Sequence, residues 1–182
     1  AASALEAATG SDLVLLAVPV AAMGDTLRVI RHGLTPTTLI LDVGSTKRNV
    51  VDAARQALDE LVGNFIPCHP IAGSEMAGID HASADLYTGC QVILTPIERT
   101  VVQKLREARK LWRALGCRVQ TMSPEAHDAA LAAVSHLPHL LAFALMNAMK
   151  EQADGDEYLS LAGPGFADFT RIAAASPRMW RD

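Results

Sequence analysis

Short apolar runs alternate with helix-like patterns over the first two thirds of the chain. The candidate strands cover 12–18, 38–43, 65–66, 91–95 and, as a weaker candidate, 117–122. Between them, apolar residues recur at helical spacing over 20–32, about 47–61 and about 98–115. Strands that alternate with helices predict an open α/β sheet, and continuous apolar runs are typical of parallel strands covered on both faces.

The pattern changes after Ser123 and Pro124, which together form a helix start signal. Residues 129–149 carry no formally charged side chain, and this segment is long enough to span a membrane. The segment 135–139 in its middle contains polar side chains, which would be costly in lipid. We therefore expect no membrane span, but a helix covered on all sides within a helical domain or a dimer.

Composition narrows the class of protein further. The 182 residues are 50% hydrophobic and 4% aromatic, with a net charge of −4 and no basic cluster. Nucleic acid is therefore not expected as a partner. The three cysteines form no CxxC pair, so a reduced cytoplasmic location fits better than a disulfide framework. The first residues include neither Met nor a basic segment, and the chain is expected to begin within a fold.

Three predicted strand ends carry residues that are unusual for simple turns. They are Val18-Pro19-Val20, Gly44-Ser45-Thr46-Lys47 and Cys68-His69-Pro70. In open α/β sheets, ligands bind in the crevice beyond the carboxyl ends of the strands, so a site is expected there. The alternative is that these residues only form tight turns and helix caps, with Ser45 or Thr46 capping the helix over 47–61.

A second cluster, Ser135-His136-Leu137-Pro138-His139, interrupts the apolar helix. Ser135 and His139 are four residues apart and share one helix face. Pro138 removes a backbone hydrogen bond and is expected to kink or open the helix locally. These histidines could be satisfied core residues, or could join His69 and Cys68 around a metal, although the spacing matches no common zinc motif.

A third cluster is the Gly163-Pro164-Gly165 turn, followed by a predicted helix that carries Arg171. A guanidinium group near a turn can hold a carboxylate through two parallel hydrogen bonds. The alternative is that Arg171 forms a surface salt bridge.

These clusters, in this order, resemble the prephenate dehydrogenase family, which also includes arogenate and cyclohexadienyl dehydrogenases. The matching strings are AVPV (17–20), DVGSTK (42–47), HPIAGSEMAG (69–78), MSPEAHD (122–128), SHLPH (135–139) and GPGFADFTRIAAASPRMWRD (163–182). The resemblance implies the C-terminal part of a Rossmann-type dinucleotide-binding domain over 1–122. An all-α dimerisation domain would follow over 123–182.

The resemblance also implies an activity and a set of site residues. The activity is oxidative decarboxylation of prephenate or arogenate with NAD or NADP, in a cytoplasmic homodimer that binds no metal. His69 and Ser45 would be catalytic, with His69 accepting the proton of the ring hydroxyl. The substrate-binding residues would be Arg171, His139, Ser135, Gly73, Ser74 and Glu75. The cofactor-binding residues would be Val18, Pro19, Gly44 and Thr46.

One position departs from the family pattern, and two other functions remain open. Ala167 stands where some relatives carry a lysine, so the choice between prephenate and arogenate stays open. A 3-hydroxy-acid dehydrogenase of the same architecture is one alternative, although SHLPH stands where those enzymes generally use a lysine. A cofactor-binding or dimerisation module without catalysis is the other. Its only support is that the glycine-rich turn of the family, which is expected to precede the first strand, is absent from this sequence.

Overall fold

The computed structural model describes residues 1–73, 79–175 and 180. The chain divides into two compact units. The first comprises Ala1–Gly73 and Ala82–Asp128, and the second contains most of the residues that follow.

The first unit contains a parallel sheet of three strands in the order β1-β2-β3. These are β1 (Leu13–Leu16), β2 (Leu39–Asp42) and β3 (Phe65–Ile66), and the three corresponding predictions are confirmed. β2 lies in the centre and is buried along its whole length. β1 lies at the edge, where Leu13 and Leu15 remain 39% and 46% exposed. The expected coverage of both faces therefore holds for β2 but not for β1.

A second sheet contains β4 (Cys68–Ile71), β5 (Gln91–Leu94) and β6 (Arg118–Thr121). β6 runs parallel to β5, whereas β4 runs antiparallel to it. The sequence pattern placed 68–70 beyond the end of a strand, and that placement is wrong. Pro67 ends β3, but the chain continues in extended form, and Pro70 is tolerated because β4 is an edge strand of its sheet.

Helices cover these strands in the first unit. The helix α2 (Met23–Ile30) buries Met23, Leu27 and Ile30, as the helical spacing predicted. α1 (Ala4–Ala8) and α3 (Arg48–Leu58) contribute to the same apolar core. α4 (Val102–Ala114) starts four residues later than predicted and buries Trp112 in a second core beneath β5 and β6.

The start of α3 corrects another expectation. Neither Ser45 nor Thr46 caps this helix. Instead, the carboxylate of Asp128 accepts hydrogen bonds from the backbone N–H groups of Lys47 and Arg48, at 2.8 and 2.9 Å. A carboxylate is well suited to this position, since the first N–H groups of a helix have no partner within it and the helix dipole favours negative charge there.

The long apolar segment is helical, as predicted. It consists of α5 (Pro124–Leu131), a π-helical turn (Ala132–His136) and α6 (Leu137–Lys150). The expected local opening at Pro138 takes the form of this π turn, in which the N–H of Leu137 bonds the carbonyl oxygen of Ala132. α7 (Gly155–Ser160), α8 (Pro164–Thr170) and a 3-10 turn (Arg171–Ala174) follow.

The apolar surface of this segment is not covered within the chain. Val134, Leu137, Leu140 and Leu141 are all exposed. By length and composition, the helix Pro124–Lys150 could also cross a membrane. The expectation of a helix covered on all sides is therefore not met by this single chain.

Candidate active site

His69 lies on β4 and takes part in a row of three side chains. Its Nδ1 is 2.9 Å from Nε2 of His127, and Nδ1 of His127 is 2.7 Å from Oδ1 of Asp128. The two imidazole rings meet edge to face, with centroids 5.1 Å apart. His69 is half-buried and His127 is fully buried, so the row leads from a partly accessible imidazole into the interior of the first unit.

The first turn of α5 positions His127 and Asp128. Ser123 caps this helix, since its hydroxyl oxygen accepts the N–H of Ala126 at 3.1 Å. Asp128 then accepts three hydrogen bonds, two of which come from the start of α3. Burial would raise the pKa of Asp128, but the N–H of Arg48, the ring of His127 and the N–H of Lys47 together hold that pKa below its ordinary value. Asp128 is therefore an ionised acceptor at neutral pH.

A buried ion pair binds the backbone of Cys68, the residue that precedes His69. Lys47 and Asp42 are both fully buried, and the Lys47 ammonium donates to a carboxylate oxygen of Asp42 and, at 2.7 Å, to the carbonyl oxygen of Cys68. Asp42 in turn accepts the N–H of Cys68 at 2.8 Å. Both backbone polar groups of Cys68 are thus bound by this pair, which fixes the strand at the residue before His69.

The electrostatics of Asp42 follow from this burial. Burial raises the pKa of Asp42, while Lys47 and the N–H groups of Cys68 and Gly44 oppose the rise. Burial also raises the pKa of the Cys68 thiol above the range in which it ionises. Cys68 is consequently a structural residue and not a nucleophile.

The segments after β1 and β2 carry the other residues predicted in the first unit. Val18 and Pro19 follow β1, and Gly44 and Thr46 follow β2, at the same edge of the parallel sheet. A Cβ at Gly44 would lie 3.0 Å from Oδ2 of Asp42, so a side chain at this position would crowd that buried carboxylate. Within the described ranges, the buried Oγ1 of Thr46 has no hydrogen-bond partner.

Four further predicted residues are Ser45, Gly73, Ser74 and Glu75. Ser45 is exposed immediately after Gly44. Gly73 follows β4 and has a φ of 113°, a conformation that L side chains rarely adopt. Ser74 and Glu75 lie outside the described residues.

The second unit contains the aromatic surroundings of His139. Nδ1 of His139 donates to the carbonyl oxygen of Ser135 at 2.9 Å, consistent with the predicted shared face. The imidazole stacks on Trp180 at a centroid distance of 4.0 Å, and His136 meets the same indole edge to face. Because Nδ1 is the donor, Nε2 is the acceptor nitrogen of neutral His139.

Arg171 follows α8 directly and is exposed. Its N–H donates to the carbonyl oxygen of Ala167 as the last hydrogen bond of α8, and Arg171 begins the 3-10 turn that follows. The sequence had predicted that Arg171 lies on the helix itself. Pro164 occupies the first turn of α8, where its missing N–H has no cost.

Sequence reasoning did not assign roles to His127, Asp128, Asp42, Lys47 or Trp180. The signal for the first two was the adjacent His-Asp pair in the alanine-rich start of α5. Among the described residues, no group of three or more His, Cys, Asp or Glu side chains is arranged to hold a metal ion.

The fold and these side chains define a class of protein, an α/β nucleotide-binding domain followed by a helical domain. Residues 1–121 match the family model for the prephenate dehydrogenase nucleotide-binding domain, and residues 123–182 match that for the prephenate dehydrogenase dimerization domain. The chain therefore belongs to the prephenate dehydrogenase family. The predicted fold class, a Rossmann-type domain followed by an all-α dimerisation domain, is confirmed.

Individual relatives agree with this assignment. The chain is 36% identical to a cyclohexadienyl dehydrogenase of Zymomonas mobilis and 38% identical to a prephenate dehydrogenase of Bacillus subtilis, over 97% of its own length in each case. It spans 60% and 47% of those two proteins.

Solved structures agree as well. A crystal structure of Aquifex aeolicus prephenate dehydrogenase in complex with hydroxyphenyl propionate and NAD+ matches the whole chain with a TM-score of 0.91 at 35% identity. This chain covers 63% of that protein. Synechocystis arogenate dehydrogenase matches the whole chain with a TM-score of 0.80 at 30% identity, and 64% of that protein is covered.

Proposed function

We propose that this chain carries the catalytic residues of a prephenate or arogenate dehydrogenase of tyrosine biosynthesis. The product would be 4-hydroxyphenylpyruvate from prephenate, or tyrosine from arogenate. The observation that carries the proposal is the half-buried His69, whose Nδ1 contacts the buried His127, itself paired with Asp128, in a chain that both family models match. The family membership supports the reaction, and His69 supplies the proton acceptor that the reaction requires.

His69 acts as the base in this proposal. Its Nε2 accepts the proton of the ring hydroxyl while the hydroxyl carbon loses hydride and becomes a carbonyl carbon. The bond to the ring carboxylate then breaks, carbon dioxide leaves, and the electron pair makes the ring aromatic. His69 returns the proton to the resulting phenolate oxygen, so the base is regenerated. Ser45 would hold the same hydroxyl and help to orient His69.

The residues after β1 and β2 fit a nicotinamide cofactor, NAD or NADP. Gly44 keeps the backbone close to the sheet edge, and the buried Thr46 hydroxyl, which has no partner in the described part of the chain, offers a hydrogen bond to a ligand. Val18 and Pro19 would border the same ligand. When bound, the cofactor supplies the hydride acceptor of the reaction.

The substrate-binding residues of this proposal come from several elements. Arg171 would bind a carboxylate of the substrate, and His139 and Ser135 would line the pocket. Gly73, Ser74 and Glu75 would shape its mouth. The stacking of His139 on Trp180 supports the proposal because it fixes the plane of that imidazole.

We propose a cytoplasmic homodimer, with the domain boundary between residues 122 and 123. The exposed apolar side chains of α6, Leu137, Leu140 and Leu141, are the surface that a second copy would cover. Their apolar character would equally suit lipid, but His136 and His139 in the same helix favour a protein partner. The three free cysteines support a reducing compartment.

The reaction is tested in the complete protein that carries this chain. Prephenate and arogenate are each supplied with NAD+ and with NADP+, and reduced nicotinamide and carbon dioxide are both measured. The proposal expects the two products in a one-to-one ratio with at least one cyclohexadienyl substrate. Oxidation of a simple 3-hydroxy acid in their place, or cofactor binding without turnover of any of them, would refute it.

Arg171→Ala is expected to raise the KM for the cyclohexadienyl substrate about 10- to 100-fold, with a smaller change in kcat. Hydrogen bonds to a charged group contribute about 1.5–3 kcal/mol, which corresponds to that factor. A loss of binding shared by the ground and transition states appears mainly in KM. Steady-state kinetics of Arg171→Ala and of the matched control Arg106→Ala, at an exposed position on α4, check this. An unchanged KM would place the carboxylate clamp elsewhere.

A further inference from the structure

In the row formed by His69, His127 and Asp128, the hydrogen bonds determine which ring nitrogens carry a hydrogen. Asp128 is ionised and can only accept, so Nδ1 of His127 must carry a hydrogen. When His127 is neutral, its Nε2 has no hydrogen and accepts from Nδ1 of His69, 2.9 Å away. Neutral His69 then carries its hydrogen on Nδ1, and Nε2 holds a lone pair.

We propose that His127, held by Asp128, is a positioning residue that keeps His69 in the tautomer with a basic Nε2. The inference rests on the proposed function, since only a base that accepts a substrate proton at Nε2 needs this tautomer. Which nitrogen of a histidine is protonated is set by the hydrogen bond that the other nitrogen makes. A histidine with its hydrogen on Nε2 could not accept the hydroxyl proton at that atom.

The row formed by His69, His127 and Asp128 also affects the charge of His69, because His127 is buried. His127 is fully buried, and a buried imidazolium is costly unless it is paired. Asp128 provides that pair, so positive charge that arrives at His69 can be shared with His127 through the hydrogen bond between them. The row therefore stabilises the protonated form of His69 during the step in which it holds the substrate proton.

The position of Asp128 makes the row rigid. Its Oδ1 accepts from Lys47 N–H as well as from His127, and its Oδ2 accepts from Arg48 N–H. These donors belong to the start of α3, whereas Asp128 belongs to α5. The carboxylate thus orients His127 from a point where two helices meet, and its place does not depend on a flexible loop.

Two substitutions of His127 separate positioning from packing. In His127→Gln, the amide oxygen can still accept from Nδ1 of His69, so the tautomer is retained. In His127→Leu, no acceptor remains. We expect kcat to fall about 10²-fold in His127→Leu and to stay within about tenfold of the unsubstituted protein in His127→Gln, on the scale that a correctly protonated base contributes. KM values should change little in both variants.

The tautomer itself is measured by nitrogen NMR on the complete protein labelled at histidine, with the His69 signals assigned by their loss in His69→Asn. The expected result is a neutral His69 with its hydrogen on Nδ1, both in the unsubstituted protein and in His127→Gln. A hydrogen on Nε2 in the unsubstituted protein, or equal kcat values for the Gln and Leu variants, would overturn the inference.

The NMR measurement needs no turnover, so it also answers the question if His127→Leu does not fold. Absence of cyclohexadienyl oxidation by the unsubstituted protein would count against the proposed function. In that case the tautomer would still decide whether His127 orders the His69 proton. The two failures are therefore distinguishable.

Discussion

His69→Asn is expected to lower kcat by about 10²-fold or more, because a positioned general base contributes about 10²- to 10⁴-fold. Asparagine can keep a polar contact with His127, so the fold should survive, but its amide cannot take up a proton at neutral pH. The loss should appear in kcat and kcat/KM alike, since the base acts in the transition state. Steady-state kinetics on the complete protein measure it.

The same prediction has a control and a pH dependence. His32→Asn, the same change at an exposed histidine, should leave kcat unchanged. An imidazole that has taken up a proton has no lone pair with which to act as a base, so the rate of the unsubstituted protein should fall as the pH is lowered from 8 to 5. Turnover of His69→Asn close to that of the control, or a flat rate between pH 5 and 8, would contradict the role of His69.

The sequence alone was sufficient to predict most of the strands and most of the helices. Their patterns are local: Met23, Leu27 and Ile30 recur at helical spacing, and residues 39–42, apolar except for Asp42, are buried on both faces. It was not sufficient for β4. Cys68-His69-Pro70 has no apolar alternation, and its extended conformation comes from pairing with β5, more than twenty residues further along the chain.

The helix cap illustrates the same limit. Ser45 and Thr46 have the residue types that favour a cap, and nothing local argues against them. Asp128 replaces them because the fold brings α5 to the start of α3, a contact between residues about eighty positions apart. The carboxylate of Asp128 has two oxygens, and each of them accepts one of the two N–H groups.

In the candidate site as well, some residues could be predicted from the sequence and others could not. His69, Ser45 and Arg171 were found because family motifs surround them, and their assignment to roles stays a prediction. The residues that support His69 were missed because support is a property of packing. Lys47 lies next to a predicted cofactor residue at the start of a predicted helix, and its local sequence does not reveal that its side chain is fully buried.

Lys47→Met is expected to destabilise the fold by about 3–5 kcal/mol, the scale for removing one partner of a buried ion pair. Asp42 would be left as a buried carboxylate with backbone donors only, and the carbonyl oxygen of Cys68 would lose its ammonium partner. Denaturant unfolding measures the loss. The matched control is Lys110→Met, an exposed lysine on α4, which should change stability by no more than about 0.5 kcal/mol.

The loss of unfolding free energy in Lys47→Met should depend on pH, and the direction of that dependence follows from the protonation of Asp42. Burial already raises the pKa of Asp42 above 3.8, and removing Lys47 removes the strongest influence that opposes the rise. A carboxyl whose pKa is raised in the folded state binds a proton more readily there, so it adds stability at low pH that is lost as the pH rises through the raised value. The loss of stability should therefore be smaller at pH 5 than at pH 8.

Asp42→Asn combined with Lys47→Met should recover much of the lost stability, since no uncompensated charge remains buried. A double variant no more stable than Lys47→Met, with a deficit that does not change with pH, would show that the lysine contributes through packing and not through its pairing with Asp42.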